Sequence, residues 1–349
     1  MRAPTLMVLA LAAAGCSKNE GVAPSGPVAA ALPASPTVLV QVDVTGFLAQ
    51  NAQERDLLFT FVPNACIEAA HAVRTLTVAW YSGEPEGFVV AAEGPSTAML
   101  RDCFERGLEW RVREGGSPDL IRFARRTYDF APIPDTEDLA REEMVVLLSP
   151  SDSAHLLFYD ERLVGRPAPP GVPGQPSIDD LFRSVPPAPI VAAGIFPPEA
   201  RSDATEEFAK QPWASGARAP AGVALSVQFG SQSLSAVVAL VSDSEADAAA
   251  LEQALRRGIA EGKTFVQAQV NDPTEPAAWR EAQEVLEGLA IRTSGRTVRV
   301  EASAQGTGLS SMGVISSALA ARMFTAYAMM TAASEIEEAQ LPPVESAPP

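Results

Sequence analysis

Apolar and polar residues alternate with a period of two in several short runs, and these runs recur in a similar order in two halves of the chain. Val38-Leu39-Val40-Gln41-Val42-Asp43-Val44 opens the first set. Alternation over such a span predicts a half-buried strand. Helical spacing follows, roughly Gly46 to Ala72, with a break at Pro63. Leu76, Val78 and Trp80 then alternate with Thr75, Thr77 and Ala79. Ser82-Gly83-Glu84-Pro85-Glu86 turns the chain into Phe88-Val89-Val90-Ala91-Ala92, which reads as a hairpin. Ser96 begins a helix that carries Leu100, Cys103 and Phe104 on one face and ends near Gly107.

The second half runs through the same order. Ile190 to Phe196 predicts a strand, and Pro197 to Lys210 a loop with a short helix. Val223, Leu225, Val227 and Phe229 alternate with smaller or polar residues, and Gly230-Ser231-Gln232 turns the chain into Leu234 to Val241. Ser242 with Glu245 has the spacing of a capping box. The helix behind it carries Ala248, Leu251, Leu255 and Ile259 and stops near Gly262. Between the halves lie strand candidates Met144 to Leu148 and His155 to Tyr159, then a Pro/Gly-rich connection from Arg166 to Gly174. Near the end come a helix from Glu275 to Glu287 and a hairpin, Leu289 to Arg292 with Thr297 to Ala302. The expected fold class is α+β: two similar strand-helix-hairpin-helix units with antiparallel sheets, helices packed on one face, and a long C-terminal helix. Chance likeness of two α+β segments is the alternative to duplication. The expected boundaries are 37–165 for the first unit, 166–188 for a linker, 189–305 for the second unit, 306–340 for the C-terminal helix and 341–349 for a disordered tail.

The first residues change this picture most. Arg2 precedes an apolar segment from Thr5 to Gly15 that is too short to span a bilayer, which takes about 20 residues. A positive start, a short apolar centre and small residues at a cleavage point describe a secretory signal. Ala13-Ala14-Gly15-Cys16 resembles the end of bacterial lipoprotein signals, with Ala13 where Leu is usual. The resemblance implies residues 1–15 as a removed signal peptide and Cys16 as a multiply acylated anchor. It also implies sorting to the outer membrane, on its periplasmic side, because Ser17 and not Asp follows the cysteine. Simple cleavage after Ala14, giving a soluble periplasmic protein, and a retained apolar helix are the rival readings. Residues 16–36, rich in Gly, Pro, Ser and Ala, read as a disordered tether.

Charge narrows the partners. Lys and Arg number 26 against 43 Asp and Glu, for a net charge of −17. Such a surface repels phosphate backbones and anionic head groups, which argues against nucleic acid and leaves membrane attachment to the acyl chains. Besides Cys16 the chain has only Cys66 and Cys103. In an oxidising compartment an even remainder suggests a disulfide, with two buried thiols as the alternative.

Candidate chemistry is sparse. A catalytic pairing of Cys66 with His71 falls off the i,i+4 helical spacing. His71 and His155 are the only histidines, and no metal-ligand spacing, nucleophile elbow, phosphate loop or dinucleotide fingerprint is present. Acidic clusters at Asp135, Glu137 and Asp138, and at Asp179 and Asp180, offer weak candidates for calcium or for a carboxylate pair, and otherwise read as solvated loops. Neither catalytic residues, a metal nor a cofactor is therefore expected.

The C-terminal segment carries Met323, Phe324, Tyr327 and Met330, suited to packing on the domain's own sheet or on a partner. The layout as a whole is similar to bacterial envelope lipoproteins with a duplicated α+β unit, a resemblance that brings no activity with it. The expected function is a lipid-anchored, non-enzymatic scaffold or protein-binding module that meets an envelope protein or peptidoglycan. The alternatives are a periplasmic carrier of an apolar ligand such as a lipid or lipoprotein, and an envelope hydrolase.

Overall fold

The computed structural model describes residues 31–50, 62–82, 85–113, 119–128, 140–166, 174–230, 233–270 and 276–305. It divides into two compact units. Unit 1 comprises Met1–Ile195 and Gly222–Val241; unit 2 comprises Phe196–Ala221 and Ser242–Pro349.

Strands dominate. Twelve occur among the described residues. Ten lie in unit 1: β1 (Val38–Asp43), β2 (Thr75–Tyr81), β3 (Gly87–Glu93), β4 (Arg111–Arg113), β5 (Leu120–Tyr128), β6 (Ala140–Ser151), β7 (Ala154–Phe158), β8 (Ile190–Ile195), β9 (Gly222–Gly230) and β10 (Ser233–Val241). Their spatial order is β10-β9-β8-β1-β2-β3-β7-β6-β5-β4, and every neighbouring pair is antiparallel.

This overturns the expected pair of duplicated strand-helix-hairpin-helix units with helices on one face. The decisive pairing is that of β1, which bonds to β2 on one side and to β8 on the other. The strands of both presumed repeats thus run into one sheet. A period of two identifies a strand and its faces, but backbone hydrogen bonding chooses its neighbour, and any strand edge offers the same donors and acceptors. Helices also occur on both faces. On one side α1 (Val44–Gln50) brings Leu48 against Val40, Val42 and Ile190. On the other, α4 (Ile178–Arg183) brings Ile178, Leu181 and Phe182 against Leu39, Ala193 and Ala224.

Local signals account for the helices that position these faces. α2 (Ile67–Ala72) follows a single 3-10 turn at Asn64–Cys66. Ser96 caps α3 (Thr97–Asp102), its hydroxyl accepting from Met99 N at 3.3 Å, and a π-helical turn at Cys103–Gly107 continues it. α4 lies within the stretch 166–188, read from sequence as a connection. Ser177 and Asp180 form a reciprocal capping box at its start.

Unit 2 holds α5 (Pro198–Ala209), α6 (Glu245–Val270), α7 (Pro276–Glu287) and the hairpin of β11 (Ala290–Ser294) and β12 (Thr297–Gln305). The cap of α6 falls on Ser244, two residues beyond the expected Ser242. Its hydroxyl accepts from Asp247 N at 3.1 Å and donates to the Asp247 carboxylate at 2.6 Å. Ser242 Oγ is buried without a hydrogen-bond partner, while its amide donates to Arg296 O. α6 continues to Val270, past Gly262. A Cβ at Gly258 within it would lie 3.1 Å from the Trp213 ring, which would have to give way slightly. Arg201 of α5 pairs with Asp243.

Among the described residues no helix is long and apolar enough to cross a membrane. Cys16 and the C-terminal segment 306–349 lie outside the described residues.

Candidate functional site

The unit 1 sheet differs sharply between its two faces. Along β2, β3 and β9 buried and half-buried residues alternate, yet the half-buried positions Val78, Trp80, Phe88, Val90, Val223, Leu225 and Val227 are apolar. Residues opposite one another in an antiparallel pair share a face. Leu39, Ala79, Val89 and Phe158 lie across one another on the fully buried face, and all are 2% exposed or less. Leu181, Phe182, Val185 and Leu163 cover that face. Gly222 lets the Leu181 side chain reach the sheet, since a Cβ there would sit 2.9 Å from it.

The opposite face is equally apolar but only partly covered. Val40, Val78, Val90 and Leu157 lie across one another, as do Val38, Trp80 and Phe88. Val78, Val90, Leu157, Val223, Leu225 and Val238 are half-buried. An antiparallel sheet with a solvated face ordinarily shows polar residues there. A half-buried face made of valine and leucine is therefore the candidate interaction surface of this chain.

Two covers frame it. At one strand end α1 packs Val44 and Leu48 against Leu76, Val42 and Ile190. Toward β5 and β6, Phe104, Trp110, Leu100 and Leu108 pack on Phe123, Val145 and Leu147. The Phe104 and Phe123 rings stack with centroids 4.8 Å apart.

This second cover is stapled by a disulfide. Cys66 and Cys103 are bonded, with Cα atoms 4.3 Å apart, and both are buried. Their cluster shares Leu100 and Leu108 with the aromatic one. Gly107, closing the π-helical turn, leaves room for the bridge, because a Cβ there would lie 2.5 Å from Cys66 Sγ. A bonded Cys66 has no thiolate to offer, which removes the Cys66–His71 nucleophile.

At the other strand end three aromatic rings form a run on the half-buried face. Trp80 and Phe88 stack with centroids 6.3 Å apart, and Phe88 and Tyr159 with centroids 4.1 Å apart. Tyr159 is 37% exposed. The chain entering from the N-terminus is fixed beside this run. Thr37 N donates to Trp80 O at 2.7 Å, and Ser82 N donates to Thr37 Oγ1 at 3.0 Å. On the buried face the Tyr81 hydroxyl donates to Pro33 O at 2.8 Å, and Ala31 and Leu32 pack against the core. Burial pushes the Tyr81 phenol well above its ordinary pKa, with the Arg166 cation opposing in part. The hydroxyl therefore stays a donor. Arg166 stands over the Tyr81 ring and donates to Pro85 O and Ser82 O at 3.2 Å.

The remaining polar candidates serve structure. His155 is buried between Pro95 O at 2.8 Å from Nε2 and Ser149 Oγ at 2.9 Å from Nδ1. A carbonyl only accepts, so Nε2 carries a proton, and the ring ties β7 to the start of α3. Asp180 is spent on the α4 cap and on Arg183. Asp135, Glu137 and Asp138 lie outside the described residues, as do Met323, Phe324, Tyr327 and Met330. Among the described residues no three His, Cys, Asp or Glu side chains gather to hold a metal ion. Sequence reading expected a sheet face or inter-unit groove for a partner but did not identify which positions form this half-buried face. Its signal was present in the runs Phe88–Ala92 and Ala236–Val241, whose positions are apolar on both sides of the alternation.

Comparison with known proteins gives little. No family model matches the chain, and no curated protein matches it. Three solved crystal forms of a protein called TP0453 superpose weakly. Form I gives a TM-score of 0.40 at 10% identity over 82% of this chain and 94% of that one. Form III gives 0.42 at 9% identity over 81% and 95%. Form IV gives 0.42 at 12% identity over 84% and 96%. Superposition at this level assigns neither a family nor a role.

Proposed function

We propose that this chain is a non-enzymatic protein-binding module of the bacterial cell envelope, tethered to the membrane by acyl chains on Cys16. The half-buried valine and leucine face of the unit 1 sheet is the observation that carries the reading. It binds an apolar surface of an envelope protein, and the disulfide-stapled cover beside it keeps the face in shape. The N-terminal signal pattern, the Ala14-Gly15-Cys16 sequence and an oxidised cysteine pair support an extracytoplasmic setting. The outer membrane, on its periplasmic side, is the proposed location.

A photo-crosslinking residue at Val90, introduced into the full chain in intact envelopes, tests this. The expected result is one dominant protein adduct, lost when Leu225→Asp is added on the same face. Co-purification of a stoichiometric lipid, with no protein adduct, would overturn the reading in favour of an apolar-ligand carrier. The same apolar face supports that alternative.

A further inference from the structure

We infer that the β4 edge of the unit 1 sheet takes an extended, acidic segment of a protein partner as an added strand, one that carries Asp or Glu at alternate positions with an apolar residue between them. The inference concerns the edge of the sheet and does not rest on the valine and leucine face.

The edge is open. Among the described residues β4 pairs with β5 alone and ends the strand order of unit 1. Arg111, Val112 and Arg113 are all exposed. Successive side chains of a strand point to opposite faces, so β4 is open on both. Unpaired N–H and C=O groups along such an edge are a template for a further strand, the mode of recognition known as strand addition. The start of β4 is also held in place. Trp110 N donates to Phe104 O at 2.9 Å, and the Trp110 ring meets Phe104 edge-on. The Arg125 guanidinium stands 4.9 Å from the centre of the Trp110 ring. The edge therefore extends from the disulfide-stapled cover and is presented in a fixed place.

The side chains select which strand fits. On one face Arg111 lies across from Ala124, and Arg113 across from Arg122. Like charges directly opposite one another weaken a strand pair. Arg122 is drawn to Glu161, its Nε donating to Oε1 at 2.9 Å. Arg111 and Arg113 stand two residues apart on the same face of the edge strand. On the other face Val112, 36% exposed, opens the row Val112–Phe123–Val145, whose other members are buried. An incoming strand with carboxylates two residues apart meets both arginines, and the residue between them extends the apolar row. Opposite charges across a strand pair are stabilising.

The same residues reject a second copy of the edge. Antiparallel pairing of β4 with itself about Val112 sets Arg111 against Arg113 twice over, which is unfavourable. In a chain of net charge −17, two arginines at the strand period on an open edge thus discriminate against self-pairing and in favour of an acidic partner.

The test uses the full-length protein and fluorescein-labelled peptides. The probe is Ser-Val-Glu-Val-Glu-Val-Ser. Its isomer Ser-Val-Val-Glu-Glu-Val-Ser has the same composition and charge but places its carboxylates on opposite faces of a strand. In fluorescence anisotropy the probe should bind about tenfold more tightly than the isomer, the scale of a pair of cross-strand charge contacts. Added salt should weaken it. Arg111→Glu with Arg113→Glu should abolish probe binding and create binding of Ser-Val-Lys-Val-Lys-Val-Ser, a gain that also shows the variant to be folded. Hydrogen exchange at residues 111–113 should slow when the probe is bound. Absence of probe binding, equal affinity for probe and isomer, or protection elsewhere without protection at 111–113 would each overturn the inference. Binding of phosphatidylglycerol vesicles that is lost in the same variant, with no peptide bound, would overturn it in favour of anionic head groups. A dimer in sedimentation that the variant disperses would overturn it in favour of a second copy.

Discussion

The two faces of one sheet carry nearly the same residues and meet different surroundings. Leu39, Val89, Leu156 and Phe158 are sealed beneath α4 and the 161–163 turn, while Val78, Val90, Leu157 and Leu225 on the reverse are half-buried. Composition cannot produce this difference, since valine and leucine supply both sides. It comes from where the connections lie. The stretch between β7 and β8 sends Leu163, Leu181, Phe182 and Val185 across one face. Among the described residues of unit 1, the other face receives the partial covers of α1 and of the disulfide-linked aromatic group. A face that has apolar side chains and incomplete cover retains free energy for association, at roughly 25 cal/mol per Å² of apolar area removed from water.

Substitutions on the two faces should separate them. Phe158→Ala opens a cavity in the sealed face and is expected to cost about 3–5 kcal/mol in urea unfolding. Val78→Ser on the other face should cost less than about 1 kcal/mol and act mainly on partner capture. Equal costs would mean that both faces are sealed and that the proposed surface does not exist. Replacing both Cys66 and Cys103 by Ala releases a 37-residue loop. The expected loss is about 3–4 kcal/mol by calorimetry, together with loosening of the Phe104 and Trp110 cover.

Gly107→Ala pushes a methyl group into Cys66 Sγ and should cost about 1–3 kcal/mol. That cost should shrink in the Cys66→Ala, Cys103→Ala background, because the obstructing sulfur is gone; an unchanged cost would place the strain elsewhere. Ser177→Ala removes the cap of α4 and should lower stability by about 1 kcal/mol, read as faster hydrogen exchange of the α4 amides.

The smallest effect is on acid stability. The hydrogen bond from Arg162 is the main reason the Asp160 carboxyl titrates below its usual range. Its folded-state pKa is depressed, so its contribution is full above the unfolded pKa and is lost as pH falls through the folded value. Arg162→Gln should flatten that part of the acid limb and leave stability at neutral pH almost unchanged, as measured by unfolding midpoints across a pH series.

Much of the local structure was legible along the chain. The hairpin of β2 and β3 follows from Leu76, Val78 and Trp80 alternating up to the Ser82–Glu86 turn. The start of α3 follows from Ser96. α4 escaped because six residues are too few for a convincing helical period, although Ser177 and Asp180 have the spacing of its cap. β4 and β5 escaped because Arg111, Arg113, Arg122 and Arg125 interrupt the apolar pattern. The aromatic run was not legible, since Tyr159 is far in sequence from Trp80 and Phe88 and joins them only through the β3–β7 pairing.

By itself, the sequence determined most of the strands, their two faces, the Ser96 cap and the two cysteines available to pair, because each depends on side chains a few residues apart and on the fixed periods of helix and strand. Only the tertiary structure decided that β1 sits between β2 and β8, that the strands run into one sheet, and that one apolar face is sealed while the other is half-covered. Those outcomes depend on backbone groups that are alike in every strand and on connections that bring distant residues together, and neither leaves a periodic trace in the order of amino acids.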